Sequence, residues 1–172
     1  MIIAMLLSLA GTNLLSGTDF LAQSRSAKML CANPDADTKT CSSIASYKVS
    51  ADGSVTETSE VLITPYEPIT LTMSMKGEFA GRSACGAMTL EALRRGVILA
   101  DGKPVPPERN ALVLKKLETV MGPLVGKRAC DTIRIEKDAL VKYGTIEGVN
   151  IELPAKPVIW VSKKDGYRVA PR

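Results

Sequence analysis

The sequence contains no histidine, and this absence removes more chemistry than any residue present supplies. Histidine is the commonest general base and the commonest metal ligand in proteins. Ser-His-Asp and Cys-His nucleophile systems are therefore impossible within the chain, as are zinc sites that need imidazole. Aromatic residues are scarce as well, at 4%, so a core is expected to rest on Val, Ile, Leu, Met and Ala. Neither G-x-x-x-x-G-K-[ST] nor G-x-G-x-x-G occurs, because Gly77, Gly81 and Gly86 are too widely spaced, and a phosphate-cradling loop is unsupported. No Ser stands three residues before a Lys, which removes the S-x-x-K nucleophile. No two cysteines form C-x-x-C, so thioredoxin-like and zinc-ribbon chemistry lose their main support. No apolar run approaches the roughly 20 residues that a spanning helix needs.

What is there is ordinary for one globular domain: 172 residues, 45% hydrophobic and 23% charged, with a formal charge of +4. The first ten residues, Met1 to Ala10, form an apolar stretch of signal-peptide length, interrupted at Gly11-Thr12-Asn13. Small residues at Ala22 and Ser24 suggest a cut before Arg25. The expectation is a signal peptide over residues 1–24 and a single disulfide-bridged domain over 25–172, periplasmic or secreted, with no transmembrane segment in the mature chain. Two features fit this address poorly: no Lys or Arg precedes the apolar stretch, and the spacer from Gly11 to Phe20 is long and polar.

The cysteines support export independently. Cys31, Cys41, Cys85 and Cys130 are even in number, as a disulfide framework requires. Three connectivities are open, and local context favours Cys31–Cys41 with Cys85–Cys130. The nine residues between Cys31 and Cys41 are polar and turn-forming, while Cys85 and Cys130 flank a largely helical excursion. Loop-closure entropy assigns roughly 2.7 kcal/mol to the shorter bridge and roughly 4 kcal/mol to the longer. The competing reading is a reactive thiol at Cys85, for which no imidazole is at hand to lower the pKa.

Periodicity then sketches the fold. Residues 43–63 read as a hairpin around Asp52-Gly53. Ile69 to Met75 alternates apolar and polar, placing Ile69, Leu71, Met73 and Met75 on one face, which is expected to be core. Gly77 to Gly86 reads as a glycine-containing connection. A short helix is expected from Thr89 to Gly96. A longer one starts near Pro107 with Val113, Leu117, Val120, Met121 and Leu124 as its apolar face. Thr132–Glu136, Leu140–Ile146 and Pro157–Val161 return to strand patterns. The expected fold is α+β: a mainly antiparallel sheet built from hairpins, with one short and one longer helix inserted between strands.

Candidate sites are few. Asp35 and Asp37 lack the remaining ligands of a calcium loop, and no catalytic, cofactor-binding or metal-binding residue stands out. Glu57 with Glu60, and Asp131 with Glu136, qualify as carboxylate pairs only if folding brings them across a cleft. Basic doublets and aromatics meet at one place, Trp160, Lys163, Lys164 and Tyr167, a possible binding surface. Nucleic-acid binding calls for a denser basic cluster and is not expected.

The stretches Leu30-Cys31-Ala32-Asn33-Pro34, Lys39-Thr40-Cys41, Gly126-Lys127-Arg128-Ala129-Cys130, and Trp160-Val161-Ser162 with Asp165-Gly166-Tyr167 resemble small exported bacterial proteins without an assigned activity. The resemblance spans most of residues 30–170 and implies export and disulfide bonds, and nothing about mechanism. The sequence thus points to a non-catalytic envelope protein that binds a partner, such as another envelope protein or an anionic envelope component, with no cofactor. The alternatives are a carboxylate-dependent hydrolase acting on envelope glycan, or an inhibitor of a secreted hydrolase.

Overall fold

In a computed structural model the chain is described over residues 18–149 and 153–172. The apolar stretch Met1–Ala10 lies outside the described residues. Twelve strands are described: β1 (Met29–Ala32), β2 (Thr40–Cys41), β3 (Ser43–Val49), β4 (Val55–Leu62), β5 (Ile69–Ala80), β6 (Ser83–Ala87), β7 (Val97–Ala100), β8 (Lys103–Pro104), β9 (Arg128–Glu136), β10 (Ala139–Ile146), β11 (Lys156–Val161) and β12 (Arg168–Val169). The helices are α1 (Phe20–Arg25), α2 (Leu90–Arg94) and α3 (Pro107–Met121). The structure is thus mostly antiparallel β with a few helices, and the short and the longer helix do sit between strands.

What the periodicity did not reveal is closure. Strands β1, β3, β4, β5, β6, β9, β10 and β11 each pair antiparallel with the next, and β11 pairs back onto β1 through Leu30↔Trp160 and Ala32↔Val158. The result is an eight-stranded up-and-down barrel, an architecture that leaves no free edge in its wall. Alternation along each strand sends one set of side chains inward. Tyr47, Glu57 and Met75 sit at matched positions on three successive strands, with Tyr47 paired to Glu57 and Glu57 to Met75.

The stretch read as a connection, Gly77 to Gly86, is in fact the paired arms of β5 and β6, with Gly77 opposite Gly86. Glycine weakens an isolated strand, but here it permits close approach. A Cβ on Gly77 would lie 2.3 Å from the Cys85 carbonyl oxygen, so only glycine lets the wall bend tightly at this level.

Most links between barrel strands are short, but β6 and β9 are separated by the excursion carrying α2, β7, β8 and α3. The Cys85–Cys130 disulfide spans that break, joining residues directly opposed across the β6–β9 ladder. Cys31 and Cys41 are joined in the second disulfide and are 0% and 1% exposed. They pack with Val161 and Tyr167 on the outer face of β1, beneath the C-terminal segment that pairs β12 with β2.

The excursion builds a second core that continues from the inward face of β5. Leu71, Met73, Leu93, Ile98 and Leu114 are its buried centre, with Met75, Met88, Val113, Leu117 and Met121 against them. Asn110 of α3 accepts from the Ile98 amide at 2.7 Å and donates to the Gly96 carbonyl, tying the helix to β7. The helix is rotated from the expected stripe. Leu114 is buried, whereas Val120 is 75% exposed, because the face that meets β5 and β7 is centred between Val113 and Leu114 and leaves Val120 beyond its edge.

The barrel lumen is packed at one end. Phe20, carried on α1, inserts against Tyr47 (5.3 Å between ring centroids), Trp160 (5.7 Å) and Phe79 (6.0 Å). Leu30, Val55, Ile133 and Val158 complete this plug. The scarce aromatics are therefore not marginal to the core, as the composition suggested; they are gathered where the lumen is stopped.

Candidate cavity in the barrel lumen

Above the plug the lumen is not filled. A cavity of about 310 Å³ is lined from the strands by Ala45, Tyr47, Val55, Glu57, Ser59, Met73, Met75, Ala129, Asp131, Lys142 and Ile146. Met88, Met121 and Leu124, from the excursion, border it as well. Its size lies at the small end of ligand sites, which are typically apolar with a few placed polar groups. Four of the seven methionines of the chain contribute to the wall. Their unbranched, polarisable side chains can adjust to an occupant.

Besides the Ser59 hydroxyl, four side chains supply polarity inside it. Lys142 of β10 donates to Asp131 Oδ2 of β9 at 2.6 Å, and both are partly buried. Room for the Asp131 carboxylate depends on Gly144, the residue opposite it, where a Cβ would lie 3.3 Å from Oδ1 and 2.9 Å from Leu153 Cδ1. Glu57 of β4 makes no hydrogen bond or ion pair among the described residues. Burial, seconded by the negative charge of Asp131 and opposed by Lys142, pushes its carboxyl up to about 7. Tyr47 of β3 is 7% exposed, and its hydroxyl is buried without a hydrogen-bond partner. Burial, with the nearby Glu57 and Asp131 charges, raises this phenol well above its usual value. Leaving a buried hydroxyl unpaired costs about 1–3 kcal/mol, so such groups call for an explanation.

Two members of the carboxylate pairs considered from the sequence, Glu57 and Asp131, line this cavity, each without its sequence partner. Glu60 faces the other way on β4 and accepts from Thr70; Glu136 accepts from Tyr143 on the β9–β10 surface. No local pattern signals that Glu57 and Asp131 meet, because the two strands lie on opposite sides of the β5–β6 pair. Asp35 is occupied by local bonding, accepting from the Asp37 and Thr38 amides at 3.0 Å each. No group of three or more potential metal ligands occurs among the described residues.

The surface of Trp160, Lys163, Lys164 and Tyr167 is divided by the fold. Trp160 points into the lumen plug. Tyr167 packs on the outer face near the Cys31–Cys41 bridge, with Lys39 Nζ 4.9 Å from its ring centre. Lys163 and Lys164 are exposed on the intervening 3-10 turn. A larger groove of about 840 Å³ is lined by Thr56, Thr72 and Ser74, by Met73 and Met75, which also border the lumen cavity, and by Arg95 of the excursion. Among the described residues no helix is long and apolar enough to cross a membrane. Comparison of the chain with family models, curated proteins and solved structures finds no match.

Proposed function

We propose that this is an exported, non-catalytic binding barrel whose site is the lumen cavity and whose ligand is a small, largely apolar molecule. The observation that carries this is the division of one lumen into a tightly packed aromatic plug and an unfilled, methionine-walled chamber holding an unpaired tyrosine hydroxyl. Protein interiors are ordinarily packed with few voids larger than a water molecule. An eight-stranded barrel is about wide enough either to be filled by its own side chains or to hold one small ligand, and this one does each in a different half. Fold alone assigns no activity; the proposal rests on the chamber.

Two disulfides support an oxidising compartment, periplasmic or extracellular. A cut before Arg25 would remove Phe20, 2% exposed and central to the plug, so processing that leaves the barrel stopped falls ahead of Thr18.

The carboxylate-dependent hydrolase has one point in its favour, the partly buried acid Glu57 near Asp131. A polymeric glycan, however, needs an open cleft to lie across the acids, and this chamber ends on the aromatic plug. Asp131 is also already engaged by Lys142.

The test is direct, because the methionines report on the site. With 13C-labelled Met methyls, titration with cyclohexylmethanol is expected to move the resonances of Met73, Met75, Met88 and Met121 saturably. Met29, which packs on the outer cluster, serves as the control. Shifts that do not saturate, or that involve Met29 equally, would reject the lumen as a binding site.

A further inference from the structure

We infer that the ligand of this cavity carries a protonated amine, seated between Glu57, Asp131 and Tyr47, with its apolar body against the methionine wall. This rests on the lumen being a binding site and deepens that reading to a chemical class.

Two carboxylates, Glu57 and Asp131, share the chamber with one ammonium, Lys142, which is committed to Asp131 Oδ2 at 2.6 Å. One negative charge is left uncompensated when all three are ionised. An ammonium has three donors and no acceptor. The groups left open around it are acceptors: the Glu57 carboxylate, Asp131 Oδ1 and the Tyr47 hydroxyl oxygen, which has no partner. An anionic head would meet two like charges here, and a neutral hydroxyl would leave the excess charge standing. Lys76, Lys127 and Glu78 also border the cavity. Lys76 and Glu78 alternate with the inward Met75 on β5 and so take its outward face, where Glu78 is paired with Arg128 at 2.6 Å. Lys127 stands ahead of β9, outside the ladder.

Proton linkage follows. The empty site holds Glu57 partly protonated near neutrality, with its carboxyl at about 7. Seating a cation beside it favours the ionised form, so binding releases protons. Amine affinity therefore rises from pH 5.5 to 8 and levels above that.

The experiment compares cyclohexylmethylamine with its near-isosteres cyclohexylmethanol and cyclohexanecarboxylate, using the methionine methyl shifts and calorimetry at pH 8. The amine is expected to bind at least tenfold more tightly than the alcohol, and the carboxylate more weakly than either. Glu57→Gln, nearly isosteric, is expected to reduce the preference for amine over alcohol to less than threefold. Should that variant not fold, calorimetry of the unaltered protein at pH 7 in two buffers of different ionisation heat measures the released protons directly. Saturable alcohol binding with no amine preference, or amine binding without proton release, would overturn the amine assignment and leave the binding site standing. If none of the three compounds moves the cavity methionines saturably, the binding reading itself fails and the amine assignment with it.

Discussion

The two halves of the barrel lumen are made of different residues for different ends. Of the two Phe, four Tyr and one Trp in the chain, Phe20, Phe79, Tyr47 and Trp160 are gathered into the plug. Of the seven methionines, four line the chamber. Aromatic rings are rigid and bury a large area per residue, and edge-to-face contacts add about 0.5–1.5 kcal/mol per pair. Methionine is flexible and specifies shape weakly. The chain therefore uses its stiffest side chains where the lumen is sealed and its most adaptable ones where it is left open. Polarity follows the same division: Glu57, Asp131 and Lys142 all belong to the chamber. A designable core avoids unsatisfied polar groups, so the stability forgone in the chamber is what a binding site would be expected to cost.

Breaking the plug should have the largest effect. Phe20→Ala removes the side chain that touches three other rings and is expected to lower stability by about 3–5 kcal/mol, read as a lower denaturant midpoint. If the loss is under about 1 kcal/mol, α1 is not the stopper described here. The same substitution sharpens the export question, since a mature chain starting at Arg25 would behave as if already deprived of Phe20.

The chamber should respond in the opposite sense. Glu57 titrates at about 7 in the folded state against an ordinary 4.5. Between those values the folded protein holds a proton that the unfolded chain has released. Stability therefore falls as pH rises through that window and is level above it. Glu57→Gln is expected to flatten this slope and to raise stability by about 2 kcal/mol at pH 8, with no gain near pH 4. Thermal unfolding at a series of pH values decides it. The carboxylates held low by hydrogen bonds, Asp35, Asp52, Asp165 and Glu118, act in a separate window. Their contribution is present above their ordinary values and is lost as pH falls through the lowered ones, so acid unfolding does not obscure the slope near neutrality.

Tyr47 stands on the boundary of the two halves, its ring in the plug and its hydroxyl partnerless. Tyr47→Phe keeps the ring contacts and deletes the unpaired group. It is expected to leave stability unchanged or to raise it by up to about 1 kcal/mol. A loss exceeding 1 kcal/mol in equilibrium unfolding would mean that the hydroxyl has a partner in solution.

Much of the local structure was legible. The β3–β4 hairpin around Asp52-Gly53, the alternation of β5 and the start of α3 at Pro107 follow from short-range rules of turn chemistry, side-chain period and helix entry. The departures were local patterns whose meaning depended on distant partners. Gly77 and Gly86 break a strand in isolation, yet opposite each other they permit one. Val120 fits a helical stripe, yet lies beyond the edge of the face that β5 and β7 cover. Trp160 and Lys163 are neighbours in sequence, yet Trp160 packs in the plug while Lys163 stands exposed on the turn beyond β11.

By itself the sequence determined what the chain cannot do with imidazole or a phosphate loop, which segments alternate as strands, and that four cysteines are available to bond. Those properties depend on residue type and on spacings of a few positions. Tertiary structure alone decided that β11 returns to β1 and closes the barrel, that the aromatics and methionines separate into plug and chamber, and that Glu57 meets Asp131 and Lys142. Side-chain period says which face a residue takes, but not which strand will stand opposite. The pKa of a carboxyl depends on the solvent and charge it loses or gains there, and residues distant in sequence supply both.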